Sequence, residues 1–253
     1  MVLNININKL KKKIKKKNGK NFRGLITFKH RGGGHKRKFK LIDNKYYIFN
    51  IPMIIIDIIY NSHKNLEIGL VYYSNNILSY INISNINKKG DILIISNISS
   101  LNEGNISSLK NINVGLYISN IELYLGHGSQ INKSGNTFSL IISKFKKYNK
   151  TLLKLKSTEE YLLNNNCFAQ IGINRNKYRI KLKKAGQNRW LNRRPVTRGV
   201  AKNPVDHPHG GGEGKTSGGR CSVTPFGKLT KGKKTRKKFI NNNIIFKRKN
   251  KNV

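Results

Sequence analysis

Nothing in this sequence constrains the fold more than where its charge lies. Residues 9–40 carry 15 basic and no acidic side chains, residues 41–185 carry 18 basic and 8 acidic, and residues 186–253 carry 18 basic and 2 acidic. Only the middle zone combines an ordinary charge balance with enough Ile, Leu, Tyr and Phe to build a core. The two ends hold charge that cannot sit side by side without counterions, and phosphate would replace those counterions. The total, a formal +41 from 51 Lys plus Arg against 10 Asp plus Glu, is far beyond what solubility requires and points to a polyanionic partner.

Within the middle zone, short apolar runs alternate with turn residues. From Gly24 to about Ser100 these are LITFKH, YYIFNI, IIIDIIY, EIGLVYY, ILSYINI and DILIIS. Their β-branched and aromatic content reads as strands, and their close spacing without helical periods between them predicts a small closed barrel of the OB type. A second series follows LNEGN: INVGLYISNIEL, FSLIISKF, LLKLK, CFAQIGI and YRIKLKK. It fits a second barrel of SH3-like size. Beyond Lys184 the periodicity stops, and the segment offers no face to bury on itself. Alone it is expected to be flexible and to become ordered on a partner. The expected organisation is mainly β. A basic arm at 1–23 precedes an OB-like barrel at 24–103 and an SH3-like barrel at 104–185, and an extended basic tail occupies 186–253.

Several classes are disfavoured. Cys167 and Cys221 have neither the density of a disulfide scaffold nor the spacing of a zinc site, and both are read as reduced. The longest apolar run, IPMIIIDIIY, is interrupted by Asp57 and falls short of the roughly 18 residues that span a bilayer, so a soluble protein without a membrane partner is expected. The basic opening lacks the apolar stretch and cleavage site of a secretory leader and the Arg and Ser bias of an import peptide. Heavy use of Lys, Asn and Ile reads as the product of an AT-rich genome.

Three clusters carry chemistry. In FKHRGGGHKRKFK, residues 28–40, three glycines let backbone approach a phosphate chain while Arg31, Lys36, Arg37 and Lys38 neutralise it; His30 and His35 stack or donate. The lysine run Lys11–Lys17 reads as an arm without sequence preference. Trp190, beside Arg189, Arg193 and Arg194, is placed either to stack on a base or to pack on the second barrel. GGGEGKT, residues 210–216, ends like a phosphate-binding loop. His209 stands where the first glycine belongs, two prolines precede it where a strand is needed, and SGGR cannot open a helix. Asp206, His207, His209 and Glu213 have no helical or paired-cysteine spacing, which argues against a metal site or acid–base pair.

The same residues carry a family resemblance. NPVDHPHGGGEG at 203–214, GQNRW, RPVTRG, VTPFGKLTKGKKTRKK and the earlier TFKHRGGGHKR resemble, in order, the universal large-subunit ribosomal protein L2 (uL2) family, and the likeness covers nearly all of the chain from Asn21. The resemblance implies an OB barrel, an SH3-like barrel and a tail running toward the peptidyl transferase region, with Asp206 and His207 nearest that centre as tail contacts. It further implies a structural role on large-subunit rRNA beside neighbouring ribosomal proteins. It extends to support of tRNA binding and translation, and to a bridge to the small subunit, with one copy per ribosome. No catalytic residue, metal or cofactor is expected beyond Mg2+ associated with the rRNA. The chain departs from the family in three places: a shorter segment before KNFRGLITF, a less basic Leu125–Gly135 loop, and Phe226 where tryptophan is usual.

The candidate RNA contacts are His30, Arg31, Gly32, Gly33, Gly34, His35, Lys36, Arg37 and Lys38 in the first segment. In the tail they are Arg189, Trp190, Arg193, Arg194, Arg198, Asn203, Asp206, His207, His209, Gly210, Gly211, Gly212, Lys215, Arg220, Lys231, Lys233, Lys234 and Arg236. Composition and signature together place the chain on an organellar ribosome, of a mitochondrion or reduced plastid, with the cytoplasm of an AT-rich bacterium as the alternative. A non-ribosomal RNA chaperone and, further off, a nucleotide hydrolase built on GGGEGKT are the competing functions.

Overall fold

The computed structural model describes residues 7–64, 66–97, 101–176, 181–214, 216–233 and 243–246. Those within 1–14, 37–180 and 239–253 form one compact unit, and those within 15–36 and 181–238 form a second. No described helix is long and apolar enough to cross a membrane.

The first unit is built almost wholly from antiparallel strands. β1 (Lys11–Lys13) pairs with β2 (Lys38–Lys40). β3 (Met53–Asn61), β4 (Leu66–Tyr73), β5 (Leu78–Asn82) and β6 (Ile92–Leu93) form a four-stranded sheet in the order β5-β4-β3-β6. After it come β7 (Ile106–Ser108), β8 (Tyr117–Ser119), β9 (Ile121–Glu122), β10 (Ser129–Ile131), β11 (Ser139–Phe145), β12 (Lys150–Leu155), β13 (Glu160–Asn164), β14 (Phe168–Ile171) and β15 (Ile244–Phe246). Seven of these make one sheet in the order β15-β13-β12-β11-β8-β14-β7, while β9 and β10 pair with each other.

Alternation drives the first sheet. In β3, Met53 and Ile55 are buried while Ile54 and Ile56 are exposed. Ile56 is the extra residue of a bulge, since Ile55 faces Val71 and Asp57 faces Leu70. Such a bulge bends its strand and increases the local twist, which helps a short sheet to curl. β4 is buried on both faces: Leu66, Ile68 and Leu70 pack with Tyr80, whereas Val71 and Tyr73 pack with Met53, Ile55, Ile81 and Ile83. A Cβ on Gly69 would stand 2.7 Å from Ile83 Cγ2, so any larger residue here must displace the buried Ile83.

The second series has its own core of Leu109, Ile112, Ile118, Ile121, Ile141, Leu153, Leu163 and Ile171, with Cys167 and Ala169. Burial pushes the Cys167 thiol up to about 11, while Cys221 is exposed, and both are free thiols. Ile106 and Phe168, from β7 and β14, belong instead to the core of the first barrel, and Ile95 forms a parallel bridge with Ile106. An amide network also joins the two barrels. Asn82 Nδ2 donates to Asn120 Oδ1 at 2.9 Å, Asn120 Nδ2 donates to Gln170 Oε1 and Asn174 Oδ1 at 2.6 Å each, and Gln170 Nε2 donates to the carbonyls of Asn82 and Gly104. Arg175 adds an ion pair to Glu67 at 2.7 Å and a bond to the Asn87 carbonyl at 2.6 Å.

The architecture is the mainly β fold read from the sequence, an OB-type barrel and then an SH3-like one. β3, β4, β5, β6, β8, β9, β11, β12 and β14 fall on expected runs. Two expected strands do not form. LITFKH is instead a turn, because Asn21 Oδ1 accepts the N–H groups of Arg23 and Leu25, and the Gly19 carbonyl accepts those of Thr27 and Phe28. YYIFNI is broken by left-handed backbone at Tyr46 and Asn50, which buries Tyr46 and lets its hydroxyl donate to the Asn120 carbonyl at 2.9 Å. Of the expected run YRIKLKK, residues 178–180 lie outside the described residues, and 181–184 are not strand.

Candidate nucleic-acid interface

The second compact unit brings together residues 15–36 and 181–238, drawn largely from the two basic zones of the sequence. What draws them together is backbone. Arg31 and Arg193 form an antiparallel bridge. Around it the Gly32 N–H donates to the Asn192 carbonyl at 3.3 Å, the His35 N–H to the Trp190 carbonyl at 3.2 Å, and the Arg194 N–H to the His30 carbonyl at 3.1 Å. His30 Nδ1 lies 2.7 Å from the Pro195 carbonyl, and Lys16 Nζ donates to the carbonyls of Gly33 and Gly34. Backbone pairing leaves the side chains of Arg31, Arg193 and Arg194 exposed.

The three glycines have a steric reason here. Gly33 and Gly34 adopt φ of 69° and 76°, a region costly for other residues. A Cβ on Gly34 would stand 2.8 Å from the Asn192 nitrogen and 2.9 Å from the Trp190 oxygen. Gly34 thus serves close approach of the backbone at Trp190 and Asn192.

Trp190 ends the short helix α1 (Ala185–Trp190). Its ring lies 5.7 Å from the His35 ring at 32°, and Lys184 Nζ lies 5.7 Å from its centroid. The ring sits against His35 and Lys184 and remains half-exposed. Arg37 and Lys38 fall in the first unit, where Arg37 Nη1 donates to the Ser62 carbonyl at 2.7 Å. Lys36 is exposed.

Further along, NPVDHPHGGGEG folds on its histidines. His207 is buried, and the Gly199 position would place a Cβ 2.6 Å from its ring. His207 Nδ1 accepts the His209 N–H at 3.0 Å, and the two rings stack at 5.2 Å and 25°. His209 Nδ1 faces the Gly218 carbonyl at 3.0 Å and Nε2 accepts the Val223 N–H at 3.0 Å. An imidazole that donates from Nδ1 and accepts at Nε2 is neutral. Burial pushes the His207 pKa below the ordinary imidazole range, with His209 and Lys202 adding to the effect. The expectation that this stretch buries nothing on itself is therefore corrected: His207 and Val223 are buried, and the histidine rings supply the contacts that an apolar face would otherwise supply.

Gly210 and Gly211 are close-approach positions. A Cβ on Gly210 would lie 2.3 Å from the Asn203 oxygen, and one on Gly211 2.9 Å from Pro204 Cγ. Gly212 sits against Thr216, whose hydroxyl donates to the Gly211 carbonyl at 3.2 Å. Among the described residues no strand leads into this loop and no helix follows it through residue 233, whereas a nucleotide-binding loop joins a strand to a helix. Asn203, Asp206, Arg198, Arg220, Lys231 and Lys233 are exposed, and Lys215, Lys234 and Arg236 lie outside the described residues. Val223 bridges Leu229 across a turn in which the Thr224 hydroxyl accepts from Phe226 and Lys228, leaving Phe226 80% exposed at its tip.

Outward cations on a glycine-lined backbone, with histidine nitrogens spent on holding that backbone, form a surface suited to a polyanion. Comparison with known proteins makes the class specific. Residues 7–95 match the family described as Ribosomal Proteins L2, RNA binding N-terminal domain, and residues 102–227 match Ribosomal Proteins L2, C-terminal domain. The large ribosomal subunit protein uL2 of Ehrlichia canis is 46% identical over 232 residues, 91% of this chain and 83% of that protein. The uL2m protein of Reclinomonas americana is 46% identical over 237 residues, 93% and 85% of the two chains, and the uL2 of Orientia tsutsugamushi 44% identical over 246, 96% and 89%. This chain belongs to the ribosomal protein L2 family, whose members are structural and not enzymes.

Proposed function

We propose that this chain is a structural constituent of the large ribosomal subunit that binds large-subunit rRNA near the peptidyl transferase region, supporting tRNA binding, subunit association and translation. One copy serves each ribosome, beside neighbouring ribosomal proteins and with a contact to the small subunit. The observation that carries this reading is the pairing of residues 30–35 with 190–195, which gathers Arg31, Arg193 and Arg194 on one backbone frame with their side chains exposed. Cations held this way neutralise adjacent phosphates without first paying for the ordering of the chain. The exposed residues among the candidate contacts act directly on RNA, and His207 and His209 act by holding the loop that presents Asp206 and Asn203.

The division at 103/104 between the barrels is supported by the two family matches, which end at 95 and begin at 102. An organellar ribosome is the proposed setting. Its support is the Lys-, Asn- and Ile-rich composition together with a uL2m relative as similar as the bacterial ones. Cell fractionation followed by sedimentation in high salt tests both points. Nearly all of the protein is expected with the large subunits of an organelle fraction. Recovery in non-ribosomal RNA complexes would favour the chaperone reading, and recovery on cytoplasmic ribosomes the bacterial one.

A further inference from the structure

Within the second unit lies a groove of about 510 Å³ whose lining includes Ile26, Phe28, Lys29, Arg31, Arg194 and Pro195. We propose that this groove is a socket for a single unstacked nucleotide of the bound RNA, its base against Phe28 and its phosphate on Arg31 and Arg194. The inference rests on the rRNA-binding reading above and adds to it a specific subsite.

Two observations favour an extruded base over a duplex. A duplex presents phosphates to a protein, and outward cations alone suffice for that contact. This site is concave and sets the apolar side chains of Ile26, Phe28 and Pro195 among its cations, a surface that a phosphate chain has no use for. Ile26 and Phe28 stay 62% and 58% exposed in a segment that has no acidic residue from 9 to 40. Unpaired bases are recognised by aromatic rings and guanidinium planes. The site has both together, since Arg31 Cζ stands 4.8 Å from the centroid of Phe28. Its volume falls within the range of pockets that enclose small ligands. The walls are also fixed: the Arg31–Arg193 bridge, the Arg194 N–H on the His30 carbonyl and His30 Nδ1 on the Pro195 carbonyl hold both sides of the groove in place. Charge complementarity selects the occupant, because Lys29, Arg31 and Arg194 line the groove without a carboxylate among its lining residues.

The test uses the full-length chain and a transcript of large-subunit rRNA, with affinity measured across a salt series for wild type, Phe28→Ala, Phe28→Trp and Arg194→Ala. Phe28→Ala is expected to weaken binding about tenfold with an unchanged salt slope, because it removes stacking and no charge. Phe28→Trp is expected to keep wild-type affinity, and Arg194→Ala to lose affinity and about one unit of slope. Ultraviolet cross-linking of the wild-type complex is expected to join the peptide containing Phe28 to one nucleotide position. Unchanged affinity of Phe28→Ala with normal wild-type binding would overturn the socket and leave the rRNA reading standing. Absence of salt-dependent binding by the wild type would overturn the rRNA reading itself. Circular dichroism of each variant, matched to wild type, secures that any loss reports the groove and not the fold.

Discussion

His209 Nε2 accepts the backbone N–H of Val223 at 3.0 Å, tying the signature loop to the turn that carries Phe226. That bond exists only while the imidazole is neutral, since a protonated ring has no lone pair left to accept with. His207, whose Nδ1 accepts the His209 N–H, faces the same requirement.

The loop is therefore expected to be weakened by acid. The His207 pKa is lowered from an ordinary value of 6.5. The folded loop thus resists the proton that the unfolded loop takes up as pH falls below that value. Its stabilising contribution is complete above about pH 6.5 and is lost as pH falls toward the folded pKa. Amide hydrogen-exchange protection factors at His209 and Val223 should be higher at pH 7.5 than at pH 5.5. Equal protection at both values would mean that the rings do not hold the loop.

The junction between the two basic segments can be read with the single tryptophan. Gly34→Ala sets a Cβ within 2.9 Å of Trp190 backbone oxygen and so should part His35 from Trp190. Gly24→Ala has a comparable φ of 79° but no neighbour within 4 Å, so it carries the backbone penalty of about 1–2 kcal/mol without the clash. Trp190 emission is expected to change in the first variant and to stay as in wild type in the second.

Asn120 is the hub of the amide network between the barrels, and it sits at φ 49°. Asn120→Ala leaves Asn82 and Gln170 without this buried partner. With each orphaned group costing about 1–3 kcal/mol, a loss of about 3 kcal/mol in chemical denaturation of the full chain is expected. Asn76→Ala removes an exposed left-handed asparagine whose side chain accepts from the Tyr72 hydroxyl, and it should cost about 1 kcal/mol or less.

These positions mark how far the sequence can be read. The strands of both barrels were legible where β-branched and aromatic residues cluster between turn residues, as in β3 and β4, and so were the charge zones at the two ends of the chain. The lysine pair β1–β2 was not, because three lysines beside KFK show no apolar pattern and register comes only from backbone pairing. The asparagines read as a mark of an AT-rich genome, yet among the described residues eight of the eleven non-glycine positions with positive φ are asparagine. Asparagine tolerates that region, so a compositional bias supplies turns that glycine would otherwise make. The interface residues were legible one by one from charge and motif. Their meeting was not: nothing local in HRGGGHKR or NRWLNRRP reveals that their backbones pair across more than 150 residues.

That meeting makes the interface cooperative in a measurable way. Arg31, Arg193 and Arg194 share one frame, so replacing any of them by alanine should lower the log–log salt slope of rRNA binding by about one while leaving the frame intact. Replacing Asn192, whose φ of 68° turns the chain and whose carbonyl accepts the Gly32 N–H, removes no cation and should behave differently. Asn192→Val forces a β-branched residue into left-handed backbone and should misplace Arg193 and Arg194 together. Its slope is expected to fall by about two units, more than any single arginine loses. A slope equal to wild type in Asn192→Val would show that the arginines reach phosphate without the frame.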